Sequence, residues 1–158
     1  MTIYFKYLLY ILKHKWFVLI AGWKVGGITF TRCIVHDRSK FYPSEFFPYA
    51  RFFFEKSKLK SHTIKLGFDV AWNHHQKRNR HHWQYWILQN YTDTTHNTIH
   101  VLPMPKKYAR EMVADWMGAG RAINGRWEVK EWYKNKKDAI ILHEDTRKLV
   151  EDILGKLQ

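Results

Sequence analysis

Residues 71–86 constrain this chain more than any other segment. They read Ala-Trp-Asn-His-His-Gln-Lys-Arg-Asn-Arg-His-His-Trp-Gln-Tyr-Trp and hold two histidine pairs, His74-His75 and His81-His82. The pairs repeat after seven residues, which is two turns of a helix, so one histidine from each can share a helical face. Imidazole is the commonest metal ligand among side chains. The spacing therefore predicts a metal site, with a basic aromatic surface segment or histidines satisfied within a core as the alternatives.

The composition is that of a folded chain with a large positive charge. Its 158 residues suit one domain, and an apolar content of 46% with 17% aromatic residues argues against disorder. The net charge of +13 implies an anionic partner, namely a phosphorylated small molecule, nucleic acid or a membrane surface. Cys33 is the single cysteine, which excludes an internal disulfide and fits a reducing cytosol. Its apolar neighbours predict a buried structural thiol rather than a nucleophile.

The first 25 residues are apolar, but they do not have the pattern of a membrane span. Basic residues interrupt them at Lys6, Lys13, His14, Lys15 and Lys24. The longest uncharged run, residues 16–23, falls well short of the ~20 residues that a span needs, and no small-residue cleavage site follows a clean apolar core. We expect neither a transmembrane segment nor a signal peptide, but one buried helix or a bent pair with His14 between its halves. A helix lying at a membrane interface is the alternative.

Periodicity and capping signals predict an all-α chain. Helices are expected over residues 3–25, 28–37, 62–77, 106–117, 127–137 and 143–157. A further helix, between the second and third of these, is expected to begin after an N-cap at Ser44. A turn or a continuation of the fourth helix carries the second histidine pair. Residues 38–43 and 55–61 are expected to be connectors, and residues 91–103 a loop with a short strand or hairpin as the alternative. Three glycines are expected to end the fifth helix: Gly118, Gly120 and Gly125. An apolar stripe in the last helix is expected to face the core: Leu149, Val150, Ile153, Leu154 and Leu157.

The residues around His36-Asp37 offer mixed nitrogen and oxygen ligation. An adjacent histidine and aspartate supply one ligand of each kind, and a carboxylate such as Asp37 can bridge two cations. With His14, Asp115 and one histidine of each pair, the set suits one or two divalent ions of Fe, Mn, Zn or Mg rather than a soft metal. Two metals in such a site generate hydroxide near neutral pH and clamp a phosphoryl oxygen. Lys40 is a candidate for binding that phosphate as a point charge, with a solvated loop lysine as the alternative.

Other familiar catalytic patterns are missing from the sequence. It has no Gly-rich phosphate loop of the Walker or dinucleotide type and no Gly-x-Ser-x-Gly elbow. A single cysteine also excludes a Cys-x-x-Cys zinc motif.

The candidate ligands, taken in order, resemble the HD superfamily of metal-dependent phosphohydrolases. The matching residues are His14, the run His36-Asp37-Arg38-Ser39-Lys40, the paired histidines and Asp115. More narrowly, His-Asp-Arg-Ser-Lys-Phe, the two pairs with Asn79, and Glu111-Met-Val-Ala-Asp115-Trp look like an uncharacterised HD-like family of phages and bacteria, the domain of unknown function numbered 5662. This likeness covers roughly residues 10–120.

The resemblance implies an HD-like helical bundle forming one domain over residues 1–158. It places metal ligation on His36, Asp37 and Asp115, with His14 as the upstream histidine. HD proteins usually draw their further histidines from separated segments, whereas here the pairs lie seven residues apart. Which of four histidines bind metal therefore stays open: His74, His75, His81 and His82.

A metal-dependent phosphohydrolase is the leading functional expectation. Its substrate is expected to be a phosphorylated small molecule, a nucleotide above all, in the cytoplasm of a bacterial or phage-infected cell. Asp37 and Lys40 are the candidate catalytic residues, and Lys40, Arg78 and Arg80 are the candidates for neutralising the phosphate. Only weak, non-specific nucleic-acid binding is expected of such an enzyme, and the sequence leaves the oligomeric state open.

Two alternatives from other classes stay open. The same ligands suit a di-iron oxygenase. The second alternative is a nucleic-acid-binding protein with structural histidines, in which the basic run at residues 77–80 contacts the phosphate backbone. In that case Trp83, Tyr85 and Trp86 stack on bases.

Overall fold

Seven helices and one short hairpin make up the part of the chain that the structure, a computed structural model, describes: residues 1–55, 62–89 and 99–157. The helices are α1 (Ile3–Val25), α2 (Phe30–Val35), α3 (Pro43–Phe54), α4 (His62–Arg78), α5 (Lys106–Asn124), α6 (Val129–Lys136) and α7 (Glu144–Lys156). The strands β1 (Ile87–Gln89) and β2 (Ile99–Val101) pair antiparallel, with Leu88 opposite His100. The prediction of an all-α, single-domain fold is confirmed.

Helix α1 is one continuous helix that organises the bundle. It packs against α5, α3 and α2, and its buried residues, among them Ile11, His14 and Val18, recur every three or four positions. The bent pair considered from the sequence is therefore a single helix. It is buried on one face only, because the opposite face carries exposed apolar side chains: Phe5, Leu9, Leu12, Trp16 and Trp23.

None of the helices in the described parts of the chain combines the length and the apolar character that crossing a bilayer requires.

Two apolar clusters form the core, and α1 contributes to both. The first joins Tyr7 and Ile11 of α1 to Tyr49, Ala50 and Ala71 of α3 and α4. The second joins the last turns of α1 to α5, α6 and α7, and includes Val150, Ile153 and Leu154, with Leu149 and Leu157 packed against it. The apolar stripe predicted for the last helix is thus core. His14 lies on the buried face of α1 between Ile11 of the first cluster and Ala21 of the second, so a polar side chain is held between two apolar regions.

Helix α5 is longer than predicted, since it runs through Gly118 and Gly120 to Asn124. Only Gly125 ends it, with a left-handed φ of 73° that suits glycine because glycine has no Cβ. Gly118 has a packing role instead. A Cβ built there would lie 2.6 Å from Val18 Cγ2 and 2.8 Å from the Val18 backbone nitrogen. The missing side chain allows α1 and α5 to approach closely.

Several predicted boundaries shift by a few residues. Helix α3 begins at Pro43, with Tyr42 rather than Ser44 as its N-cap, because proline is favoured at the first helical position. The expected connector at residues 38–43 contains a 3-10 turn, Arg38–Phe41. Helix α4 ends at Arg78, so the second histidine pair lies in a turn and not on a continued helix. The predictions for residues 56–61 and 91–98 lie outside the described residues.

Candidate metal centre

Asp37 has a backbone conformation that sets up the whole site. Helix α2 ends at Val35, and His36 caps it by donating its N–H to the carbonyl of Arg32. Asp37 then has φ 54°, the one positive φ of a non-glycine residue in the described parts of the chain. Aspartate tolerates this left-handed conformation better than most residues. The chain reverses there into the 3-10 turn, and the buried Asp37 side chain, 1% exposed, points into the bundle.

One carboxylate oxygen of Asp37 belongs to a first group of ligand atoms. Its Oδ2 lies 3.3 Å from His14 Nε2 and 3.4 Å from His36 Nε2. Asp115 Oδ1 completes the group, at 3.1 Å from His14 Nε2 and 3.2 Å from His36 Nε2. Helices α1, α2 and α5 therefore bring together four buried side chains whose ligand atoms lie within 4.8 Å of one another: His14, His36, Asp37 and Asp115.

The other oxygen of Asp37 belongs to a second group. Its Oδ1 lies 3.2 Å from His75 Nε2 and 3.3 Å from His81 Nε2. His82 is the fourth member, and all four side chains are buried: Asp37, His75, His81 and His82. The two groups share Asp37, so a single carboxylate lies between two sets of nitrogen ligands. These buried groups can hold a metal ion.

Most of the ring nitrogens that face Asp37 lack hydrogen-bond partners, as the ligands of a cation site would. The exception is His36 Nε2, which forms a hydrogen bond with Asp115 Oδ1 at 3.2 Å. His14 Nδ1 and Nε2, His75 Nε2, His81 Nε2 and His82 Nε2 are buried and make no hydrogen bond within the described parts of the chain, and neither does Asp37 Oδ1. Buried polar atoms without partners are costly. Imidazole nitrogens converging on carboxylate oxygens without hydrogen-bond geometry are satisfied by a metal ion, so the residues fit one.

Two glutamates bind the Nδ1 atoms of His75 and His36 and thereby orient these two rings. Glu45 Oε2 accepts from His75 Nδ1 at 2.8 Å, and Glu111 Oε1 accepts from His36 Nδ1 at 3.1 Å. In a neutral imidazole, a proton on Nδ1 leaves the lone pair on Nε2, which here faces Asp37. Carboxylates that hold histidines in this way fix the tautomer and raise the basicity of the metal-binding nitrogen.

Neither glutamate was predicted from the sequence to have a role at the site. Glu111 had one available signal, because it precedes Asp115 by four residues and so lies on the same face of α5. Glu45 had none, since only the fold brings the start of α3 to the end of α4. Both carboxylates are themselves held: Arg32 Nη1 donates to Glu111 at 2.9 Å, and Ser39 Oγ donates to Glu45 at 2.8 Å.

Mutual charge stabilises the ionised forms inside the site. Burial opposes ionisation of Asp37 and Asp115, but the neighbouring imidazoles, with Lys40 beside Asp37, hold the pKa of both carboxyls well below the usual range. Burial also opposes a charge on His36, and the carboxylates around it outweigh this and raise its pKa well above the usual value. Burial and the nearby His81 and His75 lower the pKa of His82, which keeps it neutral.

Lys40 is a buried, ion-paired residue and not a solvated loop lysine. Its side chain is 12% exposed, and Nζ lies 2.5 Å from Asp37 Oδ2. Burial opposes its charge, but Asp37 and Asp115 outweigh this and raise the pKa of Lys40 above its usual value. The ammonium therefore approaches the same oxygen that the first ligand group uses.

Three other candidate residues do not reach the cluster. His74 is exposed on α4, because consecutive helical residues point in different directions and His75 faces the interior. Arg78 lies behind the site, where Nη1 donates to Glu45 Oε1 at 3.1 Å. Arg80 is exposed, and its Nη1 donates to the Tyr108 hydroxyl at 3.4 Å. His74 is therefore outside the ligand groups, and the phosphate contacts predicted for Arg78 and Arg80 stay predictions.

The first histidine pair provides a matched test. His75→Gln is expected to weaken metal binding by at least roughly tenfold, since even outer-shell ligand changes cost that much, whereas His74→Gln leaves it unchanged. Metal titration of both purified variants measures the difference. Equal losses in the two variants would contradict the assignment of His75 to the site.

Metal affinity is expected to rise with pH across the neutral range. The pKa values of His36 and His81 are raised in the metal-free protein, so each is protonated up to a higher pH than a free histidine. A cation must displace those protons, which gives about a tenfold gain in affinity per pH unit for each proton released. The carboxylates are already ionised and release none. Calorimetric titration between about pH 6 and 8 in buffers of different ionisation heat counts the protons; no release would contradict the prediction.

A pocket of about 300 Å³ opens onto the cluster. Its polar lining consists of His14, Lys40, His82 and Asp115, and aromatic side chains form most of the remaining wall. A small molecule entering this pocket reaches the candidate ligands directly.

Comparison with known proteins gives one match. The model of a family of unknown function, DUF5662, matches residues 4–156. The chain belongs to this family. The match extends on both sides of the residues 10–120 over which the sequence likeness was noted. No curated protein and no solved structure matches the chain. None of the comparisons supports the likeness to the HD superfamily, which rests on the order of the candidate ligands alone: His14, His36-Asp37, the paired histidines and Asp115.

Proposed function

We propose that this protein is a metal-dependent hydrolase that cleaves a phosphate ester of a small molecule at the cluster centred on Asp37. The observation that carries the proposal is the position of the Asp37 carboxylate. Its two oxygens face two separate sets of buried imidazole nitrogens, and three of these nitrogens, Nε2 of His14, His75 and His81, make no hydrogen bond within the described parts of the chain. A carboxylate between two such sets is suited to bridge two cations.

The chemistry of the donors restricts the metal. His14, His36, Asp37 and Asp115 would hold one cation, and Asp37, His75, His81 and His82 the other. Five imidazoles with two carboxylates favour Fe, Mn or Zn over Mg, which prefers oxygen ligands. Bound there, two such cations lower the pKa of a coordinated water and neutralise charge on a phosphoryl group.

The reaction is hydrolysis of the ester at phosphorus. A bond from the water oxygen to phosphorus forms, the bond from phosphorus to the ester oxygen breaks, and the water proton passes to the leaving alkoxide. Lys40 would serve this step from the pocket. Lys40 pairs with Asp37 Oδ2, and it would be available to neutralise a phosphate oxygen as a point charge once the first ligand group held a cation.

A di-iron oxygenase on the same ligands is the second candidate, and the aromatic wall of the pocket favours it. Among the lining residues, Lys40 is the single lysine or arginine, whereas phosphate sites often collect several. Oxygen consumption by the iron-loaded protein, with no phosphate release from any ester, would select this alternative.

The packing of the tryptophans gives less support to the hypothesis of a nucleic-acid-binding protein than to the two metal-dependent enzymes. Trp83 and Trp86 pack against the larger core cluster, and Trp86 Nε1 donates to the carbonyl of Arg80 at 2.8 Å. Rings engaged in this way present less surface for stacking on bases.

A phosphatase assay tests the leading proposal. Protein loaded separately with Mn, Zn or Fe(II) is expected to release inorganic phosphate from at least one phosphomonoester. Lys40→Met should lower the rate while the amount of bound metal is kept, and His74→Gln is the matched control with an unchanged rate. Stoichiometric metal without phosphate release from a broad panel of esters would refute the hydrolase.

A further inference from the structure

The pocket beside the cluster has two ends of different character. Its polar groups belong to the candidate metal centre or pair with it. Apart from Ala119, the rest of its wall is aromatic, formed by Tyr10, Tyr49, Phe53, Phe68 and Trp72. These rings come from α1, α3 and α4, so three helices enclose the apolar end.

The aromatic wall continues directly from the candidate ligands. The ring of Tyr10 stacks on that of His14, with centroids 6.2 Å apart and planes at 14°. Trp72 packs edge-on against His82, with centroids 5.2 Å apart. A molecule whose anionic end lies at Lys40 therefore has its remaining atoms among aromatic rings.

The apolar surface extends beyond this first pocket. A second pocket of about 420 Å³ shares Tyr10 and Phe53 with it and adds Phe54, Ala122 and Ile123. None of these five side chains carries a charge. The path leading away from the cluster is thus apolar.

Polar partners for a ligand are few at the aromatic end. The Tyr49 hydroxyl is buried, and it makes no hydrogen bond within the described parts of the chain. Tyr49 itself is 4% exposed. The Tyr10 hydroxyl and the Trp72 indole N–H are the other polar groups among the five aromatic side chains. A nucleobase with its ribose carries more polar groups than these three can pair, and each group left without a partner would lose its water at a cost.

We propose that this pocket binds an aromatic or other apolar group, and that the substrate is a phosphate monoester of an apolar alcohol or phenol rather than a nucleotide. The phosphate end of this ligand rests on the proposed function, whereas the apolar end rests on the pocket alone. Aromatic walls of this kind bind flat apolar groups by burying their surface. Tyr10 and Phe53 line both pockets, so selectivity is expected to depend most on these two residues.

Binding measurements with probes that cannot be hydrolysed test the proposal. For the metal-loaded protein, calorimetry is expected to show 1-naphthylmethylphosphonate binding at least about tenfold more tightly than methylphosphonate, because burial of the ring adds binding energy. Adenosine monophosphate should bind more weakly than the naphthyl compound. Equal affinity of the two phosphonates, or tighter binding of the nucleotide, would overturn the proposal.

Two phenylalanines of α3 give a matched pair of variants. Phe53 is 53% exposed and lines both pockets, whereas Phe47 is 48% exposed, lines neither and packs against Tyr4. Phe53→Ser should lower the affinity for the naphthyl compound several-fold and leave methylphosphonate unchanged. Phe47→Ser should change neither affinity, and equal losses in both variants would count against the pocket.

One further probe separates this inference from the proposed function. 1-Naphthylmethanol has the ring without the phosphonate, so it should bind metal-free protein and lose affinity in Phe53→Ser. If the alcohol binds in this way but no phosphate ester is hydrolysed, the pocket assignment stands and the hydrolase fails. If neither the alcohol nor the phosphonate binds, the pocket assignment fails.

Discussion

Asp37→Asn is expected to remove bound metal from this protein while leaving it folded. Asp37 is the one residue that belongs to both of the ligand groups described above, so its carboxylate would contribute to the cation in each of them. The loss of affinity should exceed roughly 100-fold, the upper end of what outer-shell changes cost. Elemental analysis after dialysis, with circular dichroism as the check on folding, measures the result.

Asparagine is the informative replacement at this position. It tolerates the left-handed backbone that Asp37 adopts at φ 54°, and its amide oxygen still accepts a hydrogen bond from Lys40. Asp115→Asn is the companion variant, because Asp115 belongs to the first group only and should leave the second group able to bind. Wild-type metal content in Asp37→Asn would exclude Asp37 as the shared ligand.

Gly118→Ala is expected to destabilise the bundle and weaken metal binding together. The new Cβ would meet backbone atoms of Val18, which cannot move aside as a flexible side chain can. Overpacking of this kind costs about 1–3 kcal/mol in the free energy of unfolding. Val18 follows His14 by one helical turn and Gly118 follows Asp115 by three residues, so separating α1 from α5 also separates two candidate ligands.

The control lies on the same helix. A Cβ at Gly120 meets nothing within 4 Å, so Gly120→Ala should stabilise α5 by about 0.5–1 kcal/mol through its higher helix propensity. Urea denaturation of both variants, with and without metal, measures the two effects. A stability loss of similar size in both would show that the contact at Val18 is not what determines the cost.

The sequence predicted most of the helices because their apolar periodicity is local information. The length of α5 was not predicted, because a glycine such as Gly118 is typical of a helix end. Only the fold shows that Gly118 is needed for the close approach of Val18. The sequence also left the path of the second histidine pair undecided, because both a turn and a helix are compatible with Asn79 and Arg80. The strand Ile87–Gln89 was not predicted, and only its pairing with residues 99–101 defines it.

The candidate site was partly predictable for the same reason. The adjacency of His36 and Asp37 and the pairing of the later histidines are visible in the sequence, and all of these residues except His74 converge in the fold. Their division between two oxygens of Asp37 could not be read from spacing, because it depends on the positive φ of that residue. The choice of His75 over His74 depends on the rotation of α4, which was not known to within one residue.

The most direct test of the metal centre is a crystal structure of protein loaded with Mn or Zn, with anomalous scattering measured at the absorption edge of the metal. If both ligand groups bind metal, two anomalous peaks are expected, one on each side of the Asp37 carboxylate. One peak should lie beside His14, His36 and Asp115, and the other beside His75, His81 and His82. A structure without a peak at Asp37, in which Lys40 remains paired with its carboxylate and the imidazoles hydrogen-bond among themselves, would contradict the account.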